Sequence, residues 1–118
     1  MSDIKRHDTT ARSSKCVIYN GVVYLAGHGD PDGSAAIEQQ TANTLAKIEQ
    51  MLARAGTGKE RLLTAQIFLK NLRRDFEAMN SVWNAWTAPG AAPTRSTFQA
   101  EMAHEEMLVE IVVTAALP

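Results

Sequence analysis

Cysteine is all but missing. The chain of 118 residues holds one, Cys16, so neither an internal disulfide framework nor a cysteine-rich metal centre is available. Charge of one sign is not in surplus either: 12 Lys and Arg face 13 Asp and Glu, for a net charge of −1, and the basic residues are scattered. Nucleic acids and acidic membranes both attract a positive field, so neither is the expected partner. No apolar run approaches the roughly 20 residues that a bilayer needs. The opening MSDIKRHDTTARSSK lacks the apolar stretch of a secretion signal, which makes the cytoplasm the expected location. Internal repeats, low-complexity tracts and linkers are also lacking. Residues 1–118 therefore read as a single domain, long enough to bury roughly two thirds of its unfolded surface. Its 45% apolar and 21% charged residues are ordinary for a globular protein.

What is present is a legible series of elements. CVIYNGVVYLAG, residues 16–27, places two β-rich runs around Asn20-Gly21, the pair that best tolerates positive φ at both positions of a type I′ turn. A loop, GHGDPDGS, follows. Ser34 is placed to cap a helix whose inward positions Ile37, Thr41, Leu45, Ile48 and Leu52 recur every three or four residues. Gly56 fits the position just past its end. In RLLTAQIFLKN, Leu63, Ala65, Ile67 and Leu69 alternate with Thr64, Gln66 and Phe68, the pattern of a strand. A second helix is expected from an Asp75 N-cap, with Phe76, Met79, Val82, Trp83 and Trp86 on one face, until APGAAP stops it. Strands over 94–100 and 107–116 close the chain, and a short extra strand fits near residues 4–7. The order predicts an α+β fold: a two-layer arrangement with a mixed sheet of about six strands and both helices on one face. The other face needs cover that one chain of this length lacks, so self-association is expected.

Several apparent motifs fail on spacing. DPDGS imitates the start of a calcium loop, but its sixth position is Ala35 rather than glycine and its twelfth is Thr41 rather than a carboxylate. GTGKE lacks both the spacer and the hydroxyl residue of a phosphate-binding loop. His7, His28 and His104 share no helical or strand spacing, so no metal site is expected. Cys16 reads better as a small buried hydrophobe than as a nucleophile, and Trp83 with Trp86 better as core than as a stacking platform. Asn80, one position off the apolar stripe, either caps local backbone or faces a cleft.

Arg95 and Glu110 are the pair with chemistry to offer. An antiparallel pairing of the last two strands around 101–106 would set Thr97 opposite Glu110, with Arg95 two residues away and Thr114 nearby on the same face. One reading of such a patch is a structural Arg95–Glu110 ion pair. The other is a site in which the planar guanidinium fork holds a ligand carboxylate while Glu110 orients or deprotonates a water. Spacing alone does not separate the two.

The chain resembles the Rid family, the reactive-intermediate enamine/imine deaminases formerly labelled endoribonuclease L-PSP. The likeness runs through NGVVYLAGH, EQQTANTLAKIEQMLARAG, IFLKNLRRDFEAMNSVWNAW, APTRSTFQAEM and LVEIVVTAA. Pro93-x-Arg95-Ser96 ahead of Val109-Glu110-Ile111 is its most specific combination. The resemblance implies a chorismate-mutase-like homotrimer with clefts between subunits. It further implies cofactor-free, metal-free hydrolysis of 2-aminoacrylate-like 2-enamine and 2-imino acids to 2-keto acids and ammonia. By the same resemblance Arg95 binds the substrate carboxylate, Glu110 positions the water, Gly27 contributes backbone, and Asn80 lies near the cleft. Ser13 stands where many members carry a cleft-closing aromatic, Thr97 where many carry cysteine, and Ala26-Gly27-His28 where Ser-Gly-Gln is frequent. Those departures keep open an alternative, a non-catalytic trimeric binder of small carboxylates or 2-keto acids. The older ribonuclease label finds no aromatic and basic stripe to support it.

Overall fold

The computed structural model describes residues 3–31 and 35–118. Its elements are β1 (Lys5–His7), β2 (Cys16–Tyr19), β3 (Val22–Leu25), β4 (His28–Gly29), α1 (Ile37–Ala55), a 3-10 turn (Lys59–Arg61), β5 (Leu62–Leu69), α2 (Leu72–Trp86), β6 (Thr94–Gln99) and β7 (Val109–Ala116). The strands form one mixed sheet in the order β1-β2-β3-β7-β5-β6, with β4 also pairing with β7. Seven strands and two helices thus replace the expected six and two, the addition being the two-residue β4 inside a segment read as loop. The short strand near residues 4–7 is present as β1. Asn20 (φ 50°) and Gly21 (φ 77°) make the left-handed turn joining β2 to β3.

Burial along β7 alternates without a break. Val109, Ile111, Val113 and Ala115 are buried while the residues between them are half-buried, as the two-residue side-chain period of a strand demands. Those four join Ala65, Ile67 and Leu69 of β5 and Leu45, Ile48, Leu52, Met79 and Trp83 of the helices in one apolar cluster. Both helices therefore cover the same face and touch each other. The second face is open: Tyr24 is 46% exposed and Phe98 50%. No helix among the described residues is long and apolar enough to cross a membrane.

Three expectations about the elements need correction. Helix α2 begins at Leu72, not at Asp75. Its first N–H is capped from outside, by Gln99 Oε1 of β6 at 3.1 Å, while Asp75 is buried within the first turn and held by Arg74. Leu63 faces solvent, because a register shift between Leu62 and Thr64 puts Leu62 into the core in its place. Most consequential, β6 and β7 do not pair. β6 runs parallel to β5 on one side, and β7 runs antiparallel to β5 on the other. A helix between two strands is the usual parallel crossover, and β5-α2-β6 is one, so β6 becomes the sheet edge. The α1 terminus behaves as expected, with Gly56 at φ 93° receiving the closing turn. The Ser34 cap lies outside the described residues.

Candidate functional site

The intervening strand β5 decides where Arg95 and Glu110 point. Arg95 is in register with Ala65, which is in register with Val113. All three share the helix-covered face. Glu110 is in register with Phe68 and so lies on the open face. The patch expected to unite Arg95, Thr97, Glu110 and Thr114 does not exist within one chain. Thr97 follows Arg95 onto the helix side, opposite Ile67, whereas Thr114 bonds the Thr64 hydroxyl at 2.5 Å on the open face. The structural ion pair fails with it, since neither Arg95 nor Glu110 joins an ion pair among the described residues.

The Arg95 half is a desolvated cation among unsatisfied oxygens. Its guanidinium carbon lies over the Trp83 ring at 5.6 Å, a cation–π contact, and burial lowers its pKa from the ordinary guanidinium value. Trp83 is thus core on one side and a platform for this cation on the other. Thr97 Oγ1 and Asn80 Oδ1 are both buried without a hydrogen-bond partner, although buried oxygens are nearly always paired. Asn80 therefore does not use this oxygen to cap local backbone. Thr97 lines a cavity of about 350 Å³ with Leu72, Arg73, Phe76 and Glu77 at the start of α2. Arg95 lines a separate cavity of about 310 Å³ with Thr64, Ser96 and Thr114, and its planar fork of N–H donors matches the geometry of a carboxylate.

The Glu110 half is built by glycine and by the short strand β4. Gly29 pairs with Glu110 and His28 with Ile111. Gly27 lies so close that a Cβ there would collide with the Glu110 carboxylate, so any side chain at this position would push that carboxylate aside. A cavity of about 610 Å³ opens here, lined by Lys15, Gly27, His28, Lys47, His104 and Glu110 among others. Ser13 sits exposed in the turn before Lys15, its carbonyl accepting from Thr10 N–H at 2.8 Å. Ala26 N–H donates to the Lys15 carbonyl at 3.0 Å, which ties that turn to the segment leading into Gly27.

Sequence reasoning missed three residues that position this region. Gln40, fully buried, accepts from Leu108 N–H at 2.8 Å and donates to the carbonyls of Glu106 and Ala35. It thereby fixes the connection entering β7. Its signal was present, since Gln40 falls three residues after Ile37 on the inward stripe. His28 and Lys47 carried no local signal, because β4 is what brings them together. Lys47 Nζ donates to the Gly29 carbonyl at 2.9 Å.

Comparison with known proteins agrees with this architecture. The family model described as endoribonuclease L-PSP matches residues 4–117. A RutC family protein of Escherichia coli, YoaB, is 43% identical over 114 residues, covering 97% of this chain and 98% of the relative. The crystal structure of a YjgF family member from Neisseria meningitidis superposes with a TM-score of 0.92 at 39% identity, over 98% of this chain and 96% of that one. A protein of the conserved Rid family from Yersinia pestis, its function described as unknown, superposes with a TM-score of 0.81 at 28% identity, over 92% and 90% of the two chains. The chain belongs to the Rid family, known also by the names YjgF, RutC and endoribonuclease L-PSP.

Proposed function

We propose that the protein hydrolyses 2-imino acids and their enamine tautomers, 2-aminoacrylate among them, to 2-keto acids and ammonia, at a site assembled between copies of the chain. The observation that carries this reading is Arg95: a half-buried guanidinium, partly desolvated and stacked on Trp83, paired with no carboxylate among the described residues. A buried cation without a counter-charge is costly, and a substrate carboxylate would relieve it. Glu110 lies on the opposite face of the same sheet, so the two groups serve one substrate only if Arg95 comes from one copy and Glu110 from another. The open face with Tyr24 and the stacked Phe68–Phe98 pair supports burial against such copies. The family resemblance favours three of them, in a chorismate-mutase-like homotrimer working in the cytoplasm.

The chemistry asks little of the protein. The Arg95 fork fixes the substrate carboxylate and with it the adjacent C=N carbon. Glu110 holds a water and takes its proton as the oxygen bonds to that carbon. The proton then passes to the nitrogen, giving a carbinolamine; its hydroxyl proton moves by way of Glu110 to the same nitrogen as the C–N bond breaks and the C=O bond forms, so that ammonia leaves the keto acid. The Gly27 backbone packs against the carboxylate and keeps it in place.

Arg95→Ala is expected to fold and to lose about 30- to 1000-fold in hydrolysis. That loss corresponds to about 2–4 kcal/mol for a charge-assisted fork in a partly dry cleft. Arg95→Lys should also be poor, because a point charge cannot form the fork. The check is a coupled assay in which a serine or threonine dehydratase generates the enamine and keto-acid appearance is followed. Near wild-type turnover in Arg95→Ala contradicts the assignment, and keto-acid binding without acceleration by the wild-type protein would make it a carboxylate binder instead.

A further inference from the structure

The cavity beside Glu110 carries more positive charge than hydrolysis of an imino acid with a single carboxylate, already held by Arg95, requires. Lys15, His28, Lys47 and His104 line it, and Glu110 is the one carboxylate among its described lining residues. Neither lysine belongs to an ion pair among the described residues. The bond from Lys47 to the Gly29 carbonyl anchors the ammonium at the wall and supplies no counter-charge. Between them, His28 is half-buried, and its Nε2 has no hydrogen-bond partner. Its pKa is lowered from 6.5, first by burial and then by the fields of Lys15 and Lys47. Burial and the two ammonium groups thus act together against a proton on this imidazole. The volume, about 610 Å³, falls within the roughly 300–1,000 Å³ range of small-molecule sites.

We propose that this cavity receives a second carboxylate at the far end of the substrate, so that the preferred substrates are dicarboxylic 2-imino acids, those derived from acidic amino acids. The inference rests on the reaction proposed above for its orientation. Arg95 of one copy takes the carboxylate next to the C=N carbon, which leaves the other end on the Glu110 side, where Lys15 and Lys47 wait.

Keto acids, stable relatives of the imines, test the substrate class by titration calorimetry on the full chain. Wild-type protein should bind 2-oxoglutarate at least about tenfold more tightly than 2-oxobutyrate, a difference on the scale of one added charge contact. Lys15→Met and Lys47→Met should each shrink that ratio to less than about threefold. Lys15→Met guards against misfolding, because its side chain is exposed and makes no hydrogen bond or ion pair in the fold. Equal affinities in the wild type, no binding of either acid, or an undiminished ratio in both variants overturns the inference. Turnover on the same samples separates it from the reaction itself. Tight dicarboxylate binding without hydrolysis contradicts the proposed reaction but leaves the preference standing, whereas fast hydrolysis with no dicarboxylate preference does the opposite.

Discussion

Residue 27 sits directly against the proposed water-positioning carboxylate. The Gly27 backbone lies where any Cβ would strike the Glu110 carboxylate, and its φ is not in the left-handed region. Gly27→Ala should therefore leave the backbone at rest and displace Glu110. A reacting group misplaced by about 1 Å can cost on the order of 10²-fold. That is the loss of kcat expected in the coupled dehydratase assay, with a urea midpoint close to wild type. His28 makes a prediction of the opposite kind, on stability. Its folded pKa lies below 6.5, so as pH falls the unfolded chain takes up a proton before the folded one does. Stability is then fully present above the unfolded value and declines as pH drops through 6.5 toward the lower folded value. Urea midpoints measured between pH 7.5 and about 5 should fall, and His28→Gln, neutral throughout, should flatten the slope. At this scale much could be read in advance. Arg95 and Glu110 stand out as residue types with chemistry to offer, although the sequence left open that each merely pairs with the other. His28 did not, since its significance comes from Lys15 and Lys47, residues brought beside it only by folding.

Among the elements, local pattern and long-range pairing separated cleanly. The Asn20-Gly21 hairpin, the span of α1 with Gly56 after it, and the strand character of β5, β6 and β7 follow from periodicity and turn chemistry, which act over a few residues. The partner of β6 does not. A short connection at 101–106 resembles a hairpin loop, yet the preceding β5-α2-β6 crossover commits β6 to β5, and the chain must then pass over β5 to reach β7. The same competition moved the start of α2, because its cap, Gln99, is supplied by β6 across the fold. Gln40 secures the crossing through three hydrogen bonds to Leu108, Glu106 and Ala35. Gln40→Ala leaves a buried amide and carbonyl unanswered, at a cost of about 2–3 kcal/mol. Chemical denaturation should record that loss as a lower midpoint at unchanged slope.

For the whole molecule, one sheet carries the two halves of the proposed site on its two faces. The helix-covered face ends in Arg95, Thr97 and the Trp83 platform at the β6 edge. The open face carries Glu110, backed by Gly27, beside an aromatic and hydroxyl surface that no element among the described residues covers. Sequence reasoning anticipated the uncovered face from the count of helices and strands. It placed both groups on one patch because it paired β6 directly with β7, Thr97 opposite Glu110; through β5, Arg95 lines up with Val113 instead, a change of register that puts Glu110 on the other face. The corrected register strengthens the case for association, since the reaction proposed for Arg95 and Glu110 now needs two copies of the chain.

Mixing two inactive variants measures that requirement directly. Arg95→Ala and Glu110→Gln are each expected to be nearly inactive alone. Unfolded together in equal amounts and refolded, they should regain roughly a quarter of wild-type activity, the share of interfaces in which an intact Arg95 meets an intact Glu110 by random pairing. A mixture no more active than its separate components, although mass in solution shows mixed oligomers, would contradict a site shared between chains.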